Sequence, residues 1–181
     1  MNLCIHQQPT DIQLPKAVYQ KAQRFAEQVI ATVNYSDSNQ NNRAKIQQDH
    51  YVSKLGEEAV RQLYERAGWQ VKGPDYTIYE GQRKSWEEDL FVDDIGLAVK
   101  TQKRSSANRY GLSWTFQCSA KRKDPILNDP LAWVCFVVYE DVGDHACLVY
   151  PAMQIQQLDF KAPKLKHLRA KKKVIYAADF K

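Results

Sequence analysis

The chain has 181 residues, 44% hydrophobic and 26% charged, with a net charge of +5, values that are ordinary for one globular domain with a real core. No apolar run approaches about 18 residues, which argues against a membrane span, and the N-terminus lacks the basic and apolar regions of a secretory signal, so we expect a cytoplasmic protein. The four cysteines and four histidines are scattered, which argues against zinc binding and a disulfide framework.

The first third of the chain has helical periodicity. Apolar residues spaced three and four apart after Pro15 predict an amphipathic helix over 15–33, followed by a polar loop over 35–42. A second apolar stripe predicts a helix over 43–67, which Gly56 could interrupt and Gly68 would end. We expect a single domain over residues 1–181, with a helical extension at its N-terminus, at about 1–42.

The pattern changes to strands from Trp69 onward. The run 131–139 is apolar throughout, which is typical of a strand buried on both faces at the centre of a mixed sheet. Residues 104–122 are predicted to form a basic loop and a short helix, and residues 153–158 another short helix. The predicted strands are 69–71, 76–79, 89–92, 97–101, 131–139, 146–150 and 174–176.

An acid and a lysine lie on two of these neighbouring strands. Asp89 opens one strand, a turn at 93–96 follows it, and Lys100 lies inside the next strand. Side chains alternate along a strand, so Lys100 shares a face with Ala98 and Gln102. A carboxylate and an ammonium so placed can hold a divalent metal and a water against a phosphate. The simpler alternative is a turn aspartate beside an edge-strand lysine that reaches solvent.

The order of these elements resembles the PD-(D/E)XK nuclease family, which includes restriction endonucleases. A helix containing Gly56-Glu57-Glu58-Ala59-Val60 leads to Gly68-Trp69, and the strands with Asp89 and Lys100 follow. The resemblance covers about residues 53–150 and implies an α/β, restriction-endonuclease-like fold, with a central mixed β-sheet flanked by helices. It implies a restriction-like, Mg²⁺-dependent endonuclease that hydrolyses phosphodiester bonds in DNA. Cleavage of both strands by one such site would call for a homodimer.

The resemblance also implies roles for individual residues. Glu57 matches the family's helix glutamate, with Glu58 as the near alternative. Asp89 and Lys100 match the paired acid and lysine, although the literal Pro74-Asp75 is a competing assignment for the acid. The implied catalytic residues are Glu57, Asp89, Lys100 and Gln102, of which Asp89 and Glu57 would bind Mg²⁺.

The sequence departs from the family pattern at Ala98, where the second acid of the motif would stand. Glu57, Asp75 or Glu88 could supply the missing carboxylate from another element. If none of them does, metal affinity would fall, and the protein would be a non-catalytic DNA-binding relative of the same fold.

Basic residues are concentrated in two segments. Residues 100–123 and 161–173 each contain seven basic and no acidic residues, so the rest of the chain carries a net charge of −9. Such blocks predict a face that binds a polyanion, most commonly DNA; a scaffold protein with an acidic protein partner is the alternative. Trp114 and Phe116 are predicted core residues, with stacking on bases as the alternative. The predicted DNA-binding residues are Lys103, Arg104, Arg109, Lys121, Arg122, Lys123, Lys171 and Lys172.

Overall fold

The structure, a computed structural model, describes residues 2–32, 42–79, 88–120 and 122–180. Its secondary structure is mixed α/β, as predicted. The helices are Lys16–Thr32 (α1), Arg43–Arg66 (α2) and Arg104–Tyr110 (α3). The strands are Thr10–Ile12 (β1), Val71–Lys72 (β2), Leu90–Val92 (β3), Ile95–Lys103 (β4), Ser113–Ser119 (β5), Arg122–Lys123 (β6), Trp133–Tyr139 (β7), Cys147–Val149 (β8), Met153–Gln154 (β9) and Lys172–Tyr176 (β10).

The two long helices form where the apolar periodicity predicts them. The side chain of Asn42 caps α2 by accepting a hydrogen bond from the Lys45 N–H at 3.1 Å. Gly56 does not interrupt α2. The packing of α2 on β4 leaves no room for a side chain at this position. A Cβ at Gly56 would lie 1.8 Å from the Thr101 Oγ1 on β4, so the absence of a side chain lets the helix approach the sheet closely.

The main sheet has the order β1-β8-β7-β4-β3-β2, with β9 pairing on β7. The segment β2, β3 and β4 is an antiparallel meander, and β7 then pairs parallel to β4. The strand predicted over 131–139 is therefore central, as expected. Within the described part of the chain, α2 is followed by β2, then by Asp89 directly before β3, then by Lys100 inside β4.

A second sheet of three strands, in the order β10-β5-β6, covers the other face of the main sheet. One buried cluster lies between the helices and the main sheet and includes Leu55, Leu97 and Val99. The other lies between the two sheets and includes Trp114, Phe116 and Phe136. The fold thus has three layers, with β4 in the middle one.

Several predicted elements differ in the structure. No strand forms over 76–79, because the Tyr76 side chain turns toward α2, where its hydroxyl donates to Glu58 at 3.0 Å. Residues 104–120 contain the predicted short helix, α3, but also β5, which the prediction missed. The predicted helix over 153–158 is a short strand and a 3₁₀ turn. The N-terminal region also contributes a strand, since β1 pairs with β8.

Among the described helices, none combines the length and the apolar character needed to cross a membrane.

Candidate active site and nucleic-acid interface

Lys100 lies on the face of β4 that meets the smaller sheet. Its Nζ lies 2.8 Å from the Oδ2 of Asp124 and 4.9 Å from the centre of the Phe116 ring. The side chain is 27% exposed, so the ammonium is partly buried but still reaches solvent. The lysine predicted at the centre of the site is therefore held by an acid that the sequence analysis did not select.

Asp124 comes from the segment that follows β6. Its Oδ2 also accepts a hydrogen bond from the Gln117 N–H at 3.2 Å, which fixes the carboxylate against β5. One feature of the sequence could have pointed to Asp124, because it is the first acid after the basic segment 100–123. Its partner could not be identified without the fold, because 24 residues separate the two side chains.

Ala98 is 7% exposed and packs in the cluster between the two sheets, where its register partner is Val134 on β7. A carboxylate at this position would face apolar side chains, and burying an unpaired charge is costly. The packing of the two sheets thus gives a physical reason for the alanine.

Asp89 lies directly before β3 and is fastened to β4. Its Oδ2 accepts a hydrogen bond from the Val99 N–H at 2.8 Å, so the acid contacts the backbone of the residue that precedes Lys100. The charge of Asp89 adds to the raised pKa values of two glutamates, Glu88 and Glu57. Burial, followed by repulsion from Asp89, raises the pKa of Glu88, while Lys100 opposes the change. Glu88 and Asp89 thus place two neighbouring carboxylates directly before β3.

Glu57 is 2% exposed within α2. Burial raises its pKa to about 7, although the ammonium of Lys54 opposes this and the charge of Asp89 adds to it. The Lys54 Nζ donates to one carboxylate oxygen at 2.5 Å, and the Ser53 hydroxyl donates to the other at 2.9 Å. Both oxygens of the helix glutamate therefore already have donors within α2.

The two alternative acids have structural partners. Glu58 is 2% exposed and pairs with Arg61 at 2.7 Å, and it also accepts from the Tyr76 hydroxyl. Asp75 accepts hydrogen bonds from the Thr77 N–H and the Tyr79 hydroxyl, both at 2.8 Å, in a local turn. Both alternative acids therefore have internal partners, as Glu57 also does.

Gln102 fastens the connection between α3 and β5. Its Oε1 accepts from the Ser113 N–H at 2.9 Å, and its Nε2 donates to the Gly111 carbonyl at 3.3 Å. The side chain lines a cleft beside Lys100, but its polar atoms are engaged by backbone. Gln102 therefore holds the connection between α3 and β5 against β4.

The predicted DNA-binding residues of the segment 103–121 differ in their contacts. Lys103 lies 3.8 Å from Asp141, and the Arg104 guanidinium makes three hydrogen bonds to Glu140 at 2.5–3.0 Å, so these two cations have internal partners. Arg109 is exposed, with its guanidinium 5.1 Å from the centre of the Tyr110 ring. Lys121 lies outside the described residues. Trp114 and Phe116 are 2% and 0% exposed, so the stacking alternative is wrong and they are core residues.

The remaining basic residues converge at one end of the smaller sheet. Lys172 pairs in register with Gln117, and the Lys171 carbonyl accepts from the Cys118 N–H at 2.9 Å. On the other side of β5, Cys118 is the register partner of Lys123. We call this set the basic patch, and it consists of Arg122, Lys123, Lys171 and Lys172.

The patch adjoins the Lys100–Asp124 pair, because Asp124 accepts from the Gln117 N–H and Gln117 is the register partner of Lys172. Burial lowers the pKa of Lys172, and the charge of Lys45 lowers it further, whereas Asp49 and Asp124 oppose the shift. The patch thus combines both basic segments of the sequence.

The carboxylates near Asp89 meet part of the requirement for a magnesium site. The described residues include no group of three or more His, Cys, Asp or Glu side chains that could hold a metal ion. Magnesium, however, is often bound through one or two carboxylates together with water and substrate phosphate. Asp89 fits this role, and Glu57 or Glu88 would be the second carboxylate. A magnesium site here would therefore need oxygens from a bound nucleic acid.

The fold and these contacts define a mixed α/β protein with a partly buried acid–lysine site and an adjoining basic patch. In comparisons with known proteins, no family model, no curated protein and no solved structure matches the chain. A functional assignment therefore depends on the geometry of the site.

Proposed function

We propose that the protein is a Mg²⁺-dependent nuclease that hydrolyses phosphodiester bonds in DNA. The observation that supports this most directly is the contact between Asp89 and β4. A carboxylate that accepts from the Val99 N–H at 2.8 Å is held against β4 one residue before Lys100, whose ammonium pairs with Asp124.

The order of elements gives further support. A helix with Glu57, a strand, Asp89 at the start of the next strand and Lys100 inside the third follow one another, as the resemblance to PD-(D/E)XK nucleases requires. The assignment to a restriction-endonuclease-like fold is part of the proposal.

Each residue has a chemical task in the proposed reaction. Hydrolysis forms a bond between a water oxygen and phosphorus and breaks the bond from phosphorus to one ester oxygen, which takes up a proton. The Lys100 ammonium would stabilise the charge that develops on the phosphoryl oxygens. Asp89, with Glu57 or Glu88, would hold Mg²⁺, which supplies Lewis-acid chemistry when bound. Asp124 would keep Lys100 in place.

The basic patch supports DNA as the substrate. Its cations neutralise phosphates without reading bases, so it favours affinity over sequence specificity. Because Asp124 interacts electrostatically with Lys172 and also binds Lys100, a strand lying on the patch would pass close to the proposed catalytic lysine.

The test is cleavage of plasmid and single-stranded DNA with Mg²⁺ or with EDTA, for wild type, Lys100→Ala and the control Lys72→Ala. Lys72 is 73% exposed and pairs with Asp94 away from the site, so its loss should leave cleavage intact. We expect Mg²⁺-dependent products from wild type and the control alone. Identical products from wild type and Lys100→Ala would contradict the catalytic assignment.

A second candidate is a non-catalytic DNA-binding protein. The observation that favours it is the contact between Lys54 and Glu57, because an internal ammonium already partners the helix carboxylate. Under this alternative, DNA would bind with the same salt dependence, but no divalent ion would produce cleavage.

A further inference from the structure

A cleft of about 430 Å³ opens beside Lys100, between β4, β5, β10 and the segment 163–168. Its volume lies within the roughly 300–1,000 Å³ that is usual for sites of organic ligands. Lys100 and Lys164 line it, and no aspartate or glutamate is found among its described lining residues. Because the Lys100 ammonium already pairs with Asp124, Lys164 is the lining cation that an anionic group of a ligand would meet.

The cleft also presents aromatic surface. Tyr110 is 45% exposed at its edge, with the Arg109 guanidinium 5.1 Å from the centre of the ring. On the other side, the Lys164 Nζ lies 5.0 Å from the centre of the Tyr176 ring, and the Lys164 N–H donates to the Tyr176 hydroxyl at 3.1 Å. Rings on which a base can stack, next to a cation that can meet a phosphate, are the parts of a nucleotide site.

The wall beside Tyr110 is fixed before any ligand arrives. Gln102 ties β4 to the turn between α3 and β5 through the Ser113 N–H and the Gly111 carbonyl. A preformed wall lowers the ordering cost of binding.

We propose that this cleft takes one unpaired nucleotide of a DNA strand, with its base against Tyr110 and its phosphate near Lys164. The inference rests on the proposed function, because it takes DNA as the ligand. A base inside a duplex is stacked and paired, so only an unpaired or extruded base can enter a cleft of this kind. Since Lys100 lines the cleft and binds Asp124 beside the basic patch, one strand can occupy both surfaces. The preferred substrate is therefore DNA that contains a single-stranded segment.

The test measures binding by fluorescence anisotropy in EDTA, so that cleavage plays no part. The probes are a single-stranded oligonucleotide, the blunt duplex of the same sequence and that duplex with a single-stranded extension. We expect wild type to bind both probes that contain single-stranded DNA about tenfold more tightly than the blunt duplex, because one base stacks on the protein.

Two pairs of variants locate the effect. Tyr110→Ala should lose most of the preference, and Tyr110→Phe should keep it because the ring remains. Lys164→Ala should weaken binding of single-stranded DNA, whereas Lys166→Ala, an equal change of charge at an exposed residue outside the cleft, should not. Circular dichroism of each variant confirms that the fold is retained.

Equal affinity for the single-stranded and blunt probes would overturn the proposal, as would a Tyr110→Ala variant with the wild-type preference. These results differ from a failure of the nuclease assignment. A retained preference without Mg²⁺-dependent cleavage would leave the cleft proposal standing and remove the enzyme, while absence of DNA binding would overturn both.

Discussion

The Nζ of Lys100 and the Oδ2 of Asp124 lie 2.8 Å apart, in an ion pair that joins the main sheet to the smaller sheet. The pair occupies the face of β4 on which Ala98 provides no carboxylate. Asp124 therefore supplies an acid to the lysine from an element that lies later in the chain.

We predict that Asp124→Asn slows DNA cleavage more than it weakens DNA binding. The ammonium would remain but would lose the partner that holds it, and misplacement of about 1 Å can cost on the order of 100-fold in rate. Removing a negative charge beside the basic patch should leave affinity unchanged or higher. Single-turnover rates and anisotropy separate the two effects.

The double variant provides the control for this prediction. If Asp124 acts through Lys100, adding Asp124→Asn to Lys100→Ala should cause little further loss of rate. Wild-type cleavage by Asp124→Asn would show that the ion pair has only a structural role.

Glu57 predicts a pH dependence of stability. Its pKa is raised from 4.5 to about 7, so between these values the folded state holds a proton that the unfolded state releases. Stability from this group therefore falls as pH rises from about 4.5 to about 7 and is constant above that range. Relative to Glu57→Gln, the wild-type free energy of unfolding should drop by on the order of 1–3 kcal/mol across this window. Urea denaturation of both proteins at several pH values measures it, and a pH-independent difference would contradict the raised pKa.

We expect replacement of Gly56 by alanine to destabilise α2, contrary to the usual effect of this change in a helix. Glycine to alanine inside a helix normally stabilises by up to about 1 kcal/mol. At Gly56 the new Cβ would meet the Thr101 Oγ1 at 1.8 Å, so we expect Gly56→Ala to destabilise by about 1–3 kcal/mol. Thr101→Ala should recover part of the loss, with a coupling energy above about 0.5 kcal/mol in a double-mutant cycle. A stabilised Gly56→Ala protein would mean that α2 does not pack this closely on β4.

The basic patch predicts the salt dependence of DNA binding. Each phosphate contact contributes about 0.9 to the slope of log affinity against log salt concentration. Arg122→Ala should therefore reduce the slope by about 1. Arg66→Ala, an equal change of charge at the far end of α2, should leave it unchanged. Equal slopes for wild type and Arg122→Ala would remove the patch from the interface.

Local patterns predicted much of this fold. The apolar stripes of α1 and α2 and the apolar run of β7 needed no distant information. The alternation of Trp114 and Phe116 with polar residues was also a strand signal, but the surrounding basic residues obscured it. Tyr76 shows the reverse case, in which a β-favouring residue leaves the strand pattern because Glu58 provides a partner for its hydroxyl.

The site was less predictable because it depends on long-range pairing. Lys171 and Lys172 join Arg122 and Lys123 only because β5 pairs with both β10 and β6. The Lys100–Asp124 contact depends on the same arrangement. The sequence spacing predicted Asp89 before one strand and Lys100 inside the next. It could not show that Lys54 would partner Glu57 or that Ala98 would lie between two sheets.

The proposed nuclease depends on Asp89. The single-turnover cleavage rate in Mg²⁺ of Asp89→Asn, compared with wild type and with Asp94→Asn, tests this dependence. Asp94 is 81% exposed in the turn after β3, so its variant makes the same chemical change outside the site. We expect at least about a 100-fold loss for Asp89→Asn and a wild-type rate for Asp94→Asn. Equal rates for all three proteins, or no cleavage by wild type, would contradict it.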